Sequence, residues 1–135
     1  MTITIDTTVS ASVATAWKAW TSPDAITKWN FASDDWVCPR ADIDLRPGGR
    51  FNYRMEAKDG SVGFDFEGEF TAVELNRRIE YSLGDDRKVV VEFLPVAGKT
   101  RVSESFQAED AHSAEQQKQG WQSILSNFKK FVDGQ

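Results

Sequence analysis

One cysteine, one histidine and four prolines in 135 residues remove several chemistries before any pattern is read. Cys38 has no partner for an internal disulfide, so the fold must rely on its apolar core, and a lone thiol fits a reducing cytoplasm. With His112 as the only histidine, the clustered His and Cys of a zinc or redox centre are missing, and no metal or other cofactor is expected. Positive charge is also scarce: 16 Lys and Arg stand against 21 Asp and Glu, a net charge of −5. That balance is wrong for a protein that works on phosphate backbones or anionic lipid surfaces, so nucleic acid is not an expected partner. No run approaches the roughly 20 consecutive apolar residues of a membrane span. The opening MTITIDTTVS alternates instead of joining a basic start to an apolar signal core, and is read as the start of the mature chain.

What the chain does have is aromatic side chains: nine Phe, five Trp and two Tyr in a sequence 40% hydrophobic and 27% charged. This is enough for one domain, residues 1–135, to bury a core of its own. Ile3, Ile5 and Val9 alternate with polar residues, the period of a strand with one buried face. Ser10 or Ser12 can cap a helix whose Val13, Ala16, Trp17 and Trp20 form one stripe. Ser22-Pro23-Asp24 starts a second short helix with Ile26 and Trp29 on its apolar face. Asn30 to Arg40 reads as irregular, and Arg46-Pro-Gly-Gly-Arg50 punctuates the chain. Alternating strands then follow around Phe51–Met55, Phe64–Phe70, Ile79–Leu83, Val89–Phe93 and Val102–Phe106, joined by short turns, so the sheet is antiparallel. After His112 the period changes: Gln117, Trp121, Ile124, Leu125, Phe128, Phe131 and Val132 recur at three and four, one long amphipathic helix.

Strand, two short helices, antiparallel meander and long terminal helix is the order of the helix-grip fold. In this the chain resembles the SRPBCC superfamily of START-domain and birch-pollen-allergen-like proteins over essentially its whole length. The expected class is therefore α+β, with a curved antiparallel sheet of about six or seven strands wrapped around the C-terminal helix. Within the superfamily, Trp17 to Trp20, Pro23 to Trp29, Asp44-Leu-Arg-Pro-Gly-Gly-Arg-Phe51, Gly68-Glu-Phe70, Ile79 with Tyr81, and Gly120-Trp121 resemble one family. That family is named after the activator of the ninety-kilodalton heat-shock chaperone ATPase. The eukaryotic co-chaperone has a further N-terminal domain with an Asn- and Trp-rich activating motif, and these residues correspond to its second domain alone. Glu74-Leu-Asn-Arg77 also lacks the proline many relatives place there. The resemblance thus implies a fold more firmly than an activity, with a chaperone as a possible partner.

A sheet curled around a helix leaves a cavity between them, and the resemblance to lipid- and hormone-binding relatives implies a ligand there. The expected occupant is a small apolar or aromatic molecule. Its candidate wall comprises Trp29 on the second helix and Phe51, Tyr53 and Met55 on the first strand of the meander. Phe64, Phe66, Phe70, Tyr81, Phe93 and Phe106 continue it along later strands, and Trp121, Leu125 and Phe128 close it from the terminal helix. The competing reading is that these rings simply pack on one another as core. Glu104 completes the set, because alternation with Val102 and Phe106 turns its carboxyl inward, where it could anchor a ligand or act as an acid or base. A bulge returning it to solvent, or a tyrosine hydroxyl satisfying it, is the alternative.

Asp34, Asp35 and Trp36, with Asn30, are read as the lip of the cavity or as a local turn. Arg46, Arg50 and Arg54 are read as surface pairs of nearby acids, and His112 as a solvated loop residue. No serine elbow, phosphate-cradling loop or spaced carboxylate set appears, so no catalytic residue is assigned. An enzyme of the cyclase or aromatase kind, implied by the superfamily, would have only Glu104 with Tyr53 or Tyr81 to work with.

Overall fold

In the computed structural model, which describes Met1 to Gln135, the opening alternation forms β1 (Thr2–Val9), with Ile3, Ile5 and Val9 buried. The helix α1 (Val13–Thr21) starts at Ser12, whose hydroxyl accepts the Thr15 N–H at 3.2 Å. Its buried face is Ala16, Trp17 and Ala19; Trp20 is half-buried at the edge of the stripe. In α2 (Pro23–Trp29) the proline occupies the first turn, where its missing N–H leaves no broken bond, and Ile26 and Trp29 face inward.

The chain then departs from its irregular reading: Trp36–Ile43 is a strand, β2. Alternation is absent there because the pairing with β3 shifts between Val37 and Arg40, a bulge that resets which side chains face in. The strands β3 (Arg50–Ala57), β4 (Gly63–Glu74), β5 (Arg78–Leu83), β6 (Lys88–Val96) and β7 (Lys99–Gln107) follow as an antiparallel meander. The sheet has seven strands in the order β1-β7-β6-β5-β4-β3-β2, so β1 and β2 are its edges. Pro95 lies inside β6 and not in the turn after it; β5 pairs only as far as Glu92, so the missing N–H of Pro95 removes no ladder bond to β5. In the turn after β4, Asn76 adopts φ +61°, a left-handed conformation asparagine tolerates.

Curvature is visible in one close approach. Gly68 lies between Phe51 and Leu83 in register, and a Cβ there would stand 2.4 Å from the Ser82 carbonyl oxygen and 3.0 Å from the Phe51 ring. The glycine therefore lets Phe51 lie across β4, with the Phe70 and Tyr81 rings at 5.2 and 4.9 Å. Against the concave face lies α3 (Ala114–Asp133), begun by Ser113 and Gln116 in a reciprocal capping box. Its Leu125, Phe128 and Val132 are buried against the sheet and the short helices. No helix is long and apolar enough to cross a membrane. Surface arginines pair as expected, Arg46 with Asp44, Arg50 with Glu69, and Arg54 with Glu56 and Asp65.

Candidate functional site

Alternation along β7 carries Thr100, Val102, Glu104 and Phe106 onto the concave face, all buried. Glu104 sits opposite Ile5 on β1 and Val91 on β6, in the middle of the sheet, where a fold needing only a core would put an aliphatic residue. Its carboxyl makes no hydrogen bond or ion pair with any group of the protein. Even so, its oxygens are not sealed off: the only fully enclosed, unpartnered side-chain polar atom is Asn52 Oδ1. The oxygens of Glu104 therefore open onto a space in the interior. Burial alone pushes its pKa from 4.5 up to about 8, so at neutral pH it is mostly protonated.

That space is a cavity of about 420 Å3 between the sheet and the N-terminal half of α3. Six aromatic residues line it: Trp20, Trp29, Tyr53, Phe64, Phe66 and Trp121. Met55 and Glu104 complete the sheet side, and Gln117, Gly120 and Ile124 come from the helix. Trp121 stacks flat on Phe106, centroids 4.2 Å apart and planes 8° from parallel, which fixes the angle at which its other face meets the cavity. Trp29 donates its indole N–H to the Ala19 carbonyl at 3.0 Å, and the rings of Trp20 and Trp29 lie 5.0 Å apart.

Of the predicted wall, Trp29, Tyr53, Met55, Phe64, Phe66, Glu104 and Trp121 meet at this cavity. Phe51, Phe70, Tyr81, Phe93, Phe106, Leu125 and Phe128 do not line it and are buried in the core. They share the face but lie where helices or neighbouring rings already cover it. They act as a backing layer: Phe106 behind Trp121, and Phe128 behind Trp20 and Trp29. Burial raises the pKa of Tyr81 well above its ordinary value, and nearby Glu104 and then Tyr53 add to it. Tyr53 is raised by burial and then by Cys38. No hydrogen bond joins Glu104 to either tyrosine.

Of the rim residues, only Asn30 was expected at the lip. Arg87, Glu109, His112, Gln116 and Gln117 stand around one side, Asn30 and Ala32 around the other. Asp34 and Asp35 stay outside it in an exposed turn, while Trp36 packs edge-on against Phe64 at 5.9 Å. Gln117 fastens the segment before α3, its Oε1 accepting the Glu109 N–H at 2.8 Å and its Nε2 donating to the His112 carbonyl at 2.8 Å. His112 pairs with Glu109, and Cys38 bonds locally to the Arg40 carbonyl, so the two form no dyad. Gln117, Trp121 and Ile124 belonged to the visible helical stripe; the polar Gln117 and the neighbouring Gly120 are the signal that could have shown that it fronts a void.

Gly120 is the oddest member of the wall. A glycine inside a helix costs about 1 kcal/mol relative to alanine, yet a Cβ at Gly120 would meet nothing within 4 Å. Gly120→Ala is expected to raise stability by about 0.5–1 kcal/mol in denaturant unfolding, and a larger Gly120→Leu side chain to occupy cavity volume. A loss of stability in the alanine variant would mean that the space is already filled.

The family model described as Activator of Hsp90 ATPase homolog 1-like protein, AHSA1, matches residues 10–133. The chain belongs to this family. The AHSA1-like protein from Aeromonas hydrophila, solved by solution NMR, is 46% identical over 99% of this chain and 93% of its own, with a TM-score of 0.94. Chr148 from Cytophaga hutchinsonii is 43% identical, covering 98% of this chain and 92% of its own, at a TM-score of 0.85. A crystal structure from Chromobacterium violaceum shares the fold at 23% identity and a TM-score of 0.86, covering 98% of both chains. No curated protein matches the chain. AHSA1 membership agrees with the resemblance read from the Arg46-to-Phe51 segment and its companions, and with a START-like α+β fold.

Proposed function

We propose that this AHSA1-family protein binds a small apolar or aromatic molecule between its sheet and α3, as a carrier or sensor. The observation that carries this reading is an aromatic-walled cavity of about 420 Å3 onto which an unpartnered carboxyl opens. Cavities in this range, largely apolar with a few polar groups, are the usual form of small-ligand sites. A domain selected only for packing would fill such a volume, because interiors are close-packed and each void forfeits contacts.

The test is an amide-shift titration of the labelled protein against a panel of flat aromatic and lipid-like molecules. Saturable shifts are expected at Tyr53, Phe66, Glu104 and the Gln117-to-Ile124 face, and to be lost in Gly120→Leu. Silence across the panel with the fold intact would overturn the reading. A second reading, contact with a chaperone of the Hsp90 class, is supported by the family description and by Val62 and Phe64, apolar side chains about half exposed at the start of β4. Silence in the titration would make that contact the next experiment.

A further inference from the structure

The polar groups of the cavity are unequal in what they leave free. The Asn30 amide donates to Met55 Sδ at 3.3 Å, the Trp29 N–H to Ala19, and the Gln117 amide to backbone carbonyls. Arg87, the cation of the wall, is held by Asp85 through Nε at 2.6 Å, and Glu109 and His112 hold each other at the rim. Two groups are left without a partner, the Tyr53 hydroxyl and the Glu104 carboxyl, and the second is an acid on a central strand. A ligand carboxylate would have the terminal nitrogens of Arg87 to pair with, whereas an N–H donor or a positive charge would find an unused acceptor in the buried Glu104. The walls favour the same sign, because the faces of Trp20, Trp29, Tyr53, Phe66 and Trp121 are negative and attract cations.

We propose that the occupant is an organic amine, a flat apolar body lying among these rings with its protonated nitrogen against the Glu104 carboxyl, taken in preference to fatty acids and other carboxylates. This rests on the cavity being a ligand site. The titratable groups around Glu104 are Tyr81 from β5 and Tyr53 from β3, both neutral in the physiological range, with Glu109, His112 and Arg87 farther out; the parts of α1, α2 and α3 that line the cavity add none. Binding is thus coupled to one proton: the ammonium enters, Glu104 releases its proton to solvent, and the product is an ammonium–carboxylate pair. Because the carboxyl of the empty protein titrates at about 8, close to one proton leaves per amine bound at pH 7.

Three probes sharing one ring system separate the possibilities: naphthylmethylamine, naphthylmethanol and naphthoic acid, titrated by calorimetry at pH 7 in two buffers of different ionisation enthalpy. The amine is expected to bind at least about tenfold tighter than the alcohol, with a buffer-dependent heat that reports proton release. The acid should bind more weakly than the amine, and Glu104→Gln should bring the amine down to the level of the alcohol while leaving the alcohol unchanged. An alcohol or acid binding as tightly as the amine, or an amine preference that survives Glu104→Gln, overturns the amine selectivity and leaves the cavity reading in place. No binding by any of the three overturns both.

Discussion

Glu104→Gln is expected to stabilise the protein at pH 8 by roughly 4 kcal/mol and to leave it nearly unchanged at pH 4. The carboxyl titrates at about 8 in the fold against an ordinary 4.5. Between those values the folded state binds the proton that the unfolded chain has lost, so stability is full below about pH 4.5 and falls as pH rises towards 8. Each pH unit in that window costs about 1.4 kcal/mol, which is large beside a typical total of about 5–15 kcal/mol. Glutamine keeps the shape and removes the titration. Denaturant unfolding of both proteins at several pH values isolates the effect, because every other group is shared; parallel curves would mean that Glu104 is solvated or paired.

The second large effect is expected at Phe128. It is fully buried, and its ring stands T-shaped to those of Trp20 and Trp29, centroids 4.9 and 5.0 Å apart. Phe128→Ala removes that ring from a site hemmed in by two helices, a loss of about 3–5 kcal/mol for a buried phenylalanine. It also unseats two tryptophans of the wall, so ligand shifts at Trp20 and Trp29 should fade even where the variant remains folded. A loss below about 1 kcal/mol in denaturant unfolding would mean that α3 does not dock here.

These two residues mark how far the sequence could be read. Glu104 was legible because period two held along β7, and Phe128 because period three-to-four held along α3. β2 was not, because its bulge breaks alternation and Pro39 is tolerated only since β2 is an edge strand. Periodicity also could not separate Phe51 and Tyr81 from Tyr53 and Phe66. All four point to the concave side, and only the line along which α3 crosses the sheet decides which are covered and which face the void. Most of the rim was beyond reach for a similar reason: Arg87 comes from the turn between β5 and β6, His112 and Gln117 from around the start of α3, and nothing local in the chain announces that they meet Asn30.

The stability profile, the ligand site and the amine preference share one premise, an isolated carboxyl facing an open aromatic cavity. Carbon-detected NMR titration of the Glu104 side-chain carboxyl measures it directly. The expected midpoint is about 8 in the free protein, moving down when the cavity is saturated with naphthylmethylamine. A midpoint near 4.5, indifferent to the amine, would mean a solvated or paired carboxyl and would contradict the account.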